Sequence, residues 1–294
     1  MYIMYWNQSL WSSRSSGTPG EPCAVNWNFT IEPYHCQIPA IYRFDQGIGL
    51  DLLIQLDTQK VREFYERYAP IQSSLTETEQ EILEYTRPFP RFSLYALGLD
   101  GREYRLESGS SGCYLPWLRE TKPSLRQAIV SHDVSLEEAW YLQRGFYRPS
   151  GNPSTASPCL SVRFQPTLTV LQPTSSLRLK LDEPCQCQWV HPQTGRQHTL
   201  VFQSPRMEQL SAPLRYLLYA PYHVEPPLEM GEKLLLRQIA PENTSDGPTG
   251  VILATDAENV FVSHPHPSPL SAVQVSVLGV LREIPEKNIC LSHV

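Results

Sequence analysis

CQCQWVHPQTGRQHTLVF, residues 185–202, is the stretch on which the reading of the whole chain turns. In an extended backbone, successive side chains point to opposite faces. Cys185, Cys187, Trp189 and His191 then share one face. His198, Leu200 and Phe202 share one face of the segment that returns. Between the two, Pro192-Gln193-Thr194-Gly195 has the composition of a tight turn: proline presets φ, and glycine accepts the positive φ that closes it. Two period-2 runs around a turn predict a β-hairpin, with the Cys/Trp and Leu/Phe faces looking together into a core.

The same hairpin has a chemical reading. Cys185, Cys187, His191 and His198 are soft ligands, and zinc accepts a mixed sulfur and nitrogen set in a tetrahedron. These four residues are the metal candidates of the chain, and zinc is the one cofactor they raise. The spacing opposes the idea. A Cys-x-Cys pair in a strand projects both thiols to one side, whereas zinc knuckles use Cys-x2-Cys turns that curl round the ion. The preferred expectation is therefore no bound cofactor, with the cysteines as small core residues and the histidines flanking the turn.

Downstream and just upstream of the hairpin, short strands recur: 160–164, 167–171, 177–181, 215–219, 233–239, 250–254, 259–263 and 272–282. Leu177, Leu179 and Leu181 alternate with Arg178 and Lys180, and Val273, Val275 and Val277 share one face. This rhythm predicts a β-sandwich of about seven to nine strands over residues 160–294. Residues 151–159 read as a linker within the Pro/Ser/Gly-rich run 147–158.

Residues 1–150 have a mixed texture. Strands are expected over 2–11, 24–32 and 51–56, followed by a hairpin at 92–106 that turns on Asp100-Gly101. A helix starts at Asp57 or Thr58 and carries Val61, Phe64, Tyr65 and Tyr68 on one stripe. A second opens with the capping box Thr76/Glu79, and a third is expected over 135–145 from Ser135/Glu138 and the terminal Gly145. The fold class is thus α+β: an N-terminal antiparallel sheet with about three short helices, then an all-β sandwich-like domain.

Composition narrows the function classes. The 294 residues suit one large or two ordinary domains. Twenty-seven prolines against fifteen glycines imply many loops and edges. A net charge of −6 without a basic cluster argues against nucleic-acid or anionic-membrane partners. Seven cysteines, an odd number, and an N-terminal segment without a basic flank and apolar run predict reduced thiols in a cytoplasmic setting. No apolar run approaches the ~20 residues that span a bilayer.

Other candidates are weaker. In the predicted loop 108–113, Ser110, Ser111 or Cys113 could be a nucleophile served by His132, but the glycines stand three apart and no Gly-x-Ser-x-Gly elbow is formed. The carboxylates Glu137 and Glu138 suit a solvated first turn. His264-Pro265-His266-Pro267 could present two imidazoles, too few for a specific metal site. No phosphate-cradling glycine loop, Walker motif, HExxH or EF-hand spacing is present.

The string His191-Pro192-x-Thr194-Gly195-x-x-His198-Thr199-Leu200, with Tyr5-Trp6-Asn7-Gln8, resembles a set of uncharacterised bacterial proteins. The resemblance implies a bacterial source and no activity. With no catalytic motif left standing, the expectation is a non-catalytic binding or interaction protein, taking an unknown protein or small-molecule partner or a second copy of itself. The alternatives are a metal-dependent or hydrolase-like enzyme with its site at the domain interface, and a structural or assembly component.

Overall fold

The computed structural model describes residues 3–11, 17–118, 123–155, 157–211, 214–239, 254–255 and 258–291. The chain is mostly β-strand, with three α-helices among the described residues and antiparallel sheets. The first elements are β1 (Glu21–Ile31), β2 (Tyr34–Phe44), β3 (Gly47–Gln55), α1 (Thr58–Tyr68) and α2 (Glu77–Thr86). Next come β4 (Phe92–Leu99), β5 (Arg102–Tyr114), α3 (Pro123–Ser131), β6 (Trp140–Pro153) and β7 (Cys159–Phe164). They are followed by β8 (Thr167–Lys180), β9 (Cys185–Val190), β10 (Gln197–Phe202), β11 (Arg206–Ser211) and β12 (Leu214–Glu225). The last are β13 (Glu232–Ile239), β14 (Ala254–Thr255), β15 (Glu258–Val262), β16 (Ala272–Arg282) and β17 (Lys287–Cys290).

Two compact units result. Unit 1 comprises Met1–Ser74, Arg87–Gln165 and Pro285–Val294; unit 2 comprises Leu75–Thr86 and Pro166–Ile284.

Unit 1 holds one eight-stranded sheet in the order β1-β2-β3-β6-β5-β4-β7-β17. Its spine is β3, GIGLDLLIQ, in which every residue but the last is buried. A strand covered on both faces reads as a near-continuous apolar run, and each fully buried Leu or Ile there contributes roughly 1.5–3 kcal/mol. Leu50, Leu52 and Ile54 join Trp27 and Ile31 of β1 and Leu94, Leu160 and Val162 of β4 and β7 in one core. Strands far apart in the sheet order therefore meet, and the sheet is curled. On its other face, Leu53 and Leu142 pack against Leu10 and against Leu125, Ala128 and Ile129 of α3. The hairpin β4–β5 turns on Asp100 and Gly101, both at positive φ, as a two-residue turn requires.

In unit 2 a six-stranded sheet runs β14-β15-β12-β10-β9 with β11 against β12, and a three-stranded sheet runs β13-β16-β8. One core takes Trp189, Leu200, Phe202 and Phe261 from the first and Leu179, Leu236, Val275 and Val277 from the second. The helix α2 begins with the reciprocal cap expected of it: Thr76 N–H donates to Glu79 Oε2 at 2.8 Å, and Glu79 N–H to Thr76 Oγ1 at 3.3 Å. Its Glu81 pairs with the buried Arg237 of β13.

The expected hairpin of residues 185–202 forms, with Trp189 opposite His198, Cys187 opposite Leu200 and Gly195 at φ 69°. Other segments differ from the sequence reading. The helix expected over 135–145 is a turn leading into β6: Ser135 Oγ accepts from Glu137 N–H in a local turn, and Trp140, Leu142, Arg144 and Phe146 alternate inward. Pairing with β3 and β5 on both sides outweighs the cap signal, because propensity is a weak prior against tertiary context. The third helix is α3, led by a proline, which is favoured at a first helical position. The expected loop 108–113 is the second half of β5, and the expected linker is β6 as far as Pro153. The described part of the N-terminal segment makes an isolated bridge, Tyr5 with Pro19, rather than a strand. Tyr2 and most of the strand expected over 250–254 lie outside the described residues.

Candidate functional site

A groove in unit 1 follows from a split in its sheet. Strands β4 and β5 pair only from Ala96–Leu99 to Arg102–Arg105. Beyond the hairpin they part. Gln143 Nε2 donates to the Phe92 carbonyl at 2.7 Å, and Tyr147 Oη to the Leu94 carbonyl at 3.2 Å, so side chains of β6 take up two carbonyls of β4. Among the described residues, β5 pairs with β6 alone from Leu106 to Tyr114. Its other edge faces the split.

The resulting groove has a volume of about 370 Å³ and is lined by Phe92, Leu94, Leu106, Ser111, Gln143 and Tyr147 among others. That volume lies at the small end of ligand-site sizes. Leu106 is 39% exposed at the rim, and Gly109 and Ser111 are exposed beside it. Gly145 leaves the floor bare because the Tyr147 ring lies over it; a Cβ there would stand 2.6 Å from the ring. Burial pushes the Tyr147 phenol up, so it stays a neutral donor. Ser111 Oγ accepts from Tyr141 Oη at 3.0 Å. Among the described residues of the lining Arg144 is the one that carries a charge, and its side chain is turned away. The groove therefore offers backbone, hydroxyl, amide and apolar surface, and no free charge.

Arg144 is committed on the other face of β6, where Asp51, the single charge in the apolar run of β3, is fully buried. Arg144 Nε donates to Asp51 Oδ1 and Nη2 to Oδ2, both at 2.7 Å, and His132 Nε2 stands 2.9 Å from Oδ2. Burial raises the Asp51 carboxyl, but the Arg144 guanidinium and the hydrogen bonds outweigh it and hold the group at about 2. A bidentate pair closed by a third donor is a lock rather than a reactive group. His132 is thus engaged with Asp51. Of the suggested nucleophiles, Ser110 Oγ accepts from Leu10 N–H at 3.0 Å, and burial pushes the Cys113 thiol up to about 12.

In unit 2 the four metal candidates divide. His191 and His198 converge, their ring centroids 6.0 Å apart, with the Trp189 indole stacked on His198 at 4.8 Å. Cys185 and Cys187 lie further along β9 against the core. The four residues from Cys187 to His191 span roughly 13 Å of extended chain, too far for one coordination sphere. Among the described residues, no group of three or more His, Cys, Asp or Glu is placed to hold a metal ion.

His191 Nδ1 accepts from the backbone N–H of Gln193 at 3.2 Å and of Thr194 at 3.3 Å, which puts the ring proton on Nε2. That atom stands 3.4 Å from Oε2 of Glu232; the two side chains are 3% and 2% exposed. His198 Nδ1 donates to the Pro226 carbonyl at 2.7 Å. Trp189 Nε1 and His191 Nε2 are buried without a hydrogen-bond partner among the described residues. The His-Pro-His-Pro segment is tethered: Gln238 Oε1 accepts from His264 N–H at 2.7 Å, and its Nε2 meets His266 Nε2 at 3.1 Å. Burial, helped by the neighbouring His264, pushes His266 down from its ordinary value.

Neither the groove nor the Asp51 lock was legible as a site. An aspartate inside GIGLDLLIQ was the available signal for the lock, since a charge in an apolar strand must be paired. The groove has no residue signature, because an unpaired strand edge is a property of neighbours. No helix among the described residues is long and apolar enough to cross a membrane. Compared with known protein families, curated proteins and solved structures, the chain matches none.

Proposed function

We propose that the chain is a non-catalytic binding protein whose unit 1 takes an uncharged, extended peptide segment of a partner protein along the free edge of β5. The observation that carries this reading is the split itself: among the described residues β5 keeps an open edge from Leu106 onward, while across the groove Gln143 and Tyr147 occupy the Phe92 and Leu94 carbonyls of β4. An extended peptide meets such an edge with its own backbone donors and acceptors, and alternate side chains enter the groove. The edge from Leu106 to Ser111 is roughly 17 Å long at strand rise, enough for about six peptide residues. Phe92, Leu94 and Leu106 favour apolar side chains, and a lining without a free charge disfavours ionic ones. The same reading joins an α+β domain to a β-sandwich domain in a bacterial cytoplasm, and the net charge of −6 speaks against nucleic acid as the partner.

Panning of displayed random peptides on the full chain tests this, with affinities then measured by calorimetry. Peptides with alternating apolar residues and no net charge are expected to bind at micromolar Kd. Ser111→Trp, which fills the groove, and Leu106→Glu, which places a charge at its rim, each weaken binding at least tenfold. N-methylation of alternate peptide nitrogens abolishes it, because the edge then loses its backbone partners. Binding that ignores N-methylation and both substitutions would overturn the proposal.

A further inference from the structure

Strands β7 and β17 place Cys159 directly opposite Cys290, and their sulfur atoms stand 4.0 Å apart. Both lie on the outward face of the sheet. Leu160 and Ile289, the adjacent opposed pair, point into the core, while Ser161 Oγ donates to Asn288 Oδ1 at 2.8 Å beside the cysteines. Cys290 is exposed and Cys159 half-buried. Directly opposed residues of an antiparallel pair have Cα atoms about 4.5–5.5 Å apart, inside the span of about 4.4–6.8 Å that a disulfide bridges. Side-chain rotation at the exposed cysteine is enough to close the remaining gap. The register is held independently of the thiols by Arg163 Nε on Glu286 Oε1 at 2.8 Å and by the Leu291 N–H on the Pro158 carbonyl at 2.9 Å.

We infer that Cys159 and Cys290 are a reversible disulfide site, oxidised by a small-molecule disulfide of the glutathione class. The Cys290 thiolate attacks one sulfur of the oxidant, forming a mixed disulfide and releasing one thiolate. Cys159 then gives up its proton and attacks Cys290 Sγ, forming the protein disulfide and releasing the second thiolate. The protein loses two electrons and two protons, and the oxidant gains them as two thiols. Burial of Cys159 first, and then its hydrogen bond with Cys290, in which it holds its own proton, push the Cys159 thiol up, so the exposed partner is the first to react.

The bond has a topological consequence. The two cysteines are 131 positions apart, and the chain between them contains all of Pro166–Ile284, the larger segment of unit 2. Oxidation ties the departure of that segment from unit 1 to its return, and fastens a strand of only four residues to the sheet.

The test equilibrates the full chain in glutathione redox buffers, then counts thiols after denaturation and maps cross-linked peptides by mass. The expected result is the loss of two thiols, a Cys159–Cys290 cross-link, and amide exchange over 287–291 slowed at least tenfold. Reduction reverses all three. Cys290→Ser, at an exposed position, abolishes the cross-link and the protection; Cys159→Ala is the matching variant. Full retention of the thiols, oxidation that stops at glutathionylated Cys290, or a cross-link between other cysteines would each overturn the inference.

Discussion

Two buried polar clusters, one in each unit, differ in how their atoms are matched. In unit 1, Asp51 accepts from Arg144 through both oxygens and from His132 through one, a charge surrounded by donors. In unit 2, the side chains of Trp189, His191, His198 and Glu232 are also buried, yet two nitrogens, Trp189 Nε1 and His191 Nε2, make no hydrogen bond among the described residues, although Glu232 Oε2 stands 3.4 Å from His191 Nε2. A buried group pays for desolvation whether or not it finds a partner. Depth of burial therefore does not rank these clusters by their contribution to stability. The completeness of pairing does.

The sharpest break of the comparison is Arg144→Met. It strands the Asp51 charge, and removing one partner of a buried ion pair costs about 3–5 kcal/mol. The expected outcome in urea is a unit 1 transition at much lower denaturant, while Asp51→Leu combined with Arg144→Met recovers most of the loss. An unchanged midpoint for the single variant would mean that Asp51 is not ionised in the fold.

Acid probes the same lock more gently. The folded Asp51 carboxyl is held at about 2, below its ordinary 3.8. Its contribution is thus fully present above about pH 4 and is lost as pH falls through the folded value. Stability of unit 1, followed by urea midpoints, is expected to fall over that window, and Asp51→Asn should remove this part of the pH dependence.

The smallest effect is expected in unit 2. Trp189→Phe deletes an indole N–H that has no hydrogen-bond partner among the described residues, so the lost packing is offset by relief of desolvation, and the net change stays within about 1.5 kcal/mol. A loss of 3 kcal/mol or more, about the cost of Trp→Ala in a core, would show that the indole nitrogen has a partner after all.

How much of this was legible depends on the range of the interaction. The hairpin of residues 185–202, the Asp100-Gly101 turn and the Thr76/Glu79 cap were read correctly because each is decided within a few residues. Residues 135–145 differ from the sequence expectation for the complementary reason: Ser135 and Glu138 look like a capping box, and only the flanking β3 and β5 make 140–147 a strand. Serine- and glycine-rich 108–113 carries little propensity of its own, so its pairing with β6 decided it. The convergence of His191 with His198 follows from the hairpin register; the position of Glu232 beside His191 does not, since it comes from β13 on the other sheet of unit 2.

The β-rich character of the chain, its main turns and caps, and the inward face of its amphipathic strands follow from the order of residues, because alternation and turn chemistry are local. Tertiary structure alone decided that β4 and β5 part beyond their turn, that Arg144 reaches Asp51, and that Cys159 lies opposite Cys290. Each of these depends on which distant strand becomes a neighbour, and strand pairing is chosen by the burial of the whole sheet rather than by the residues that end up side by side.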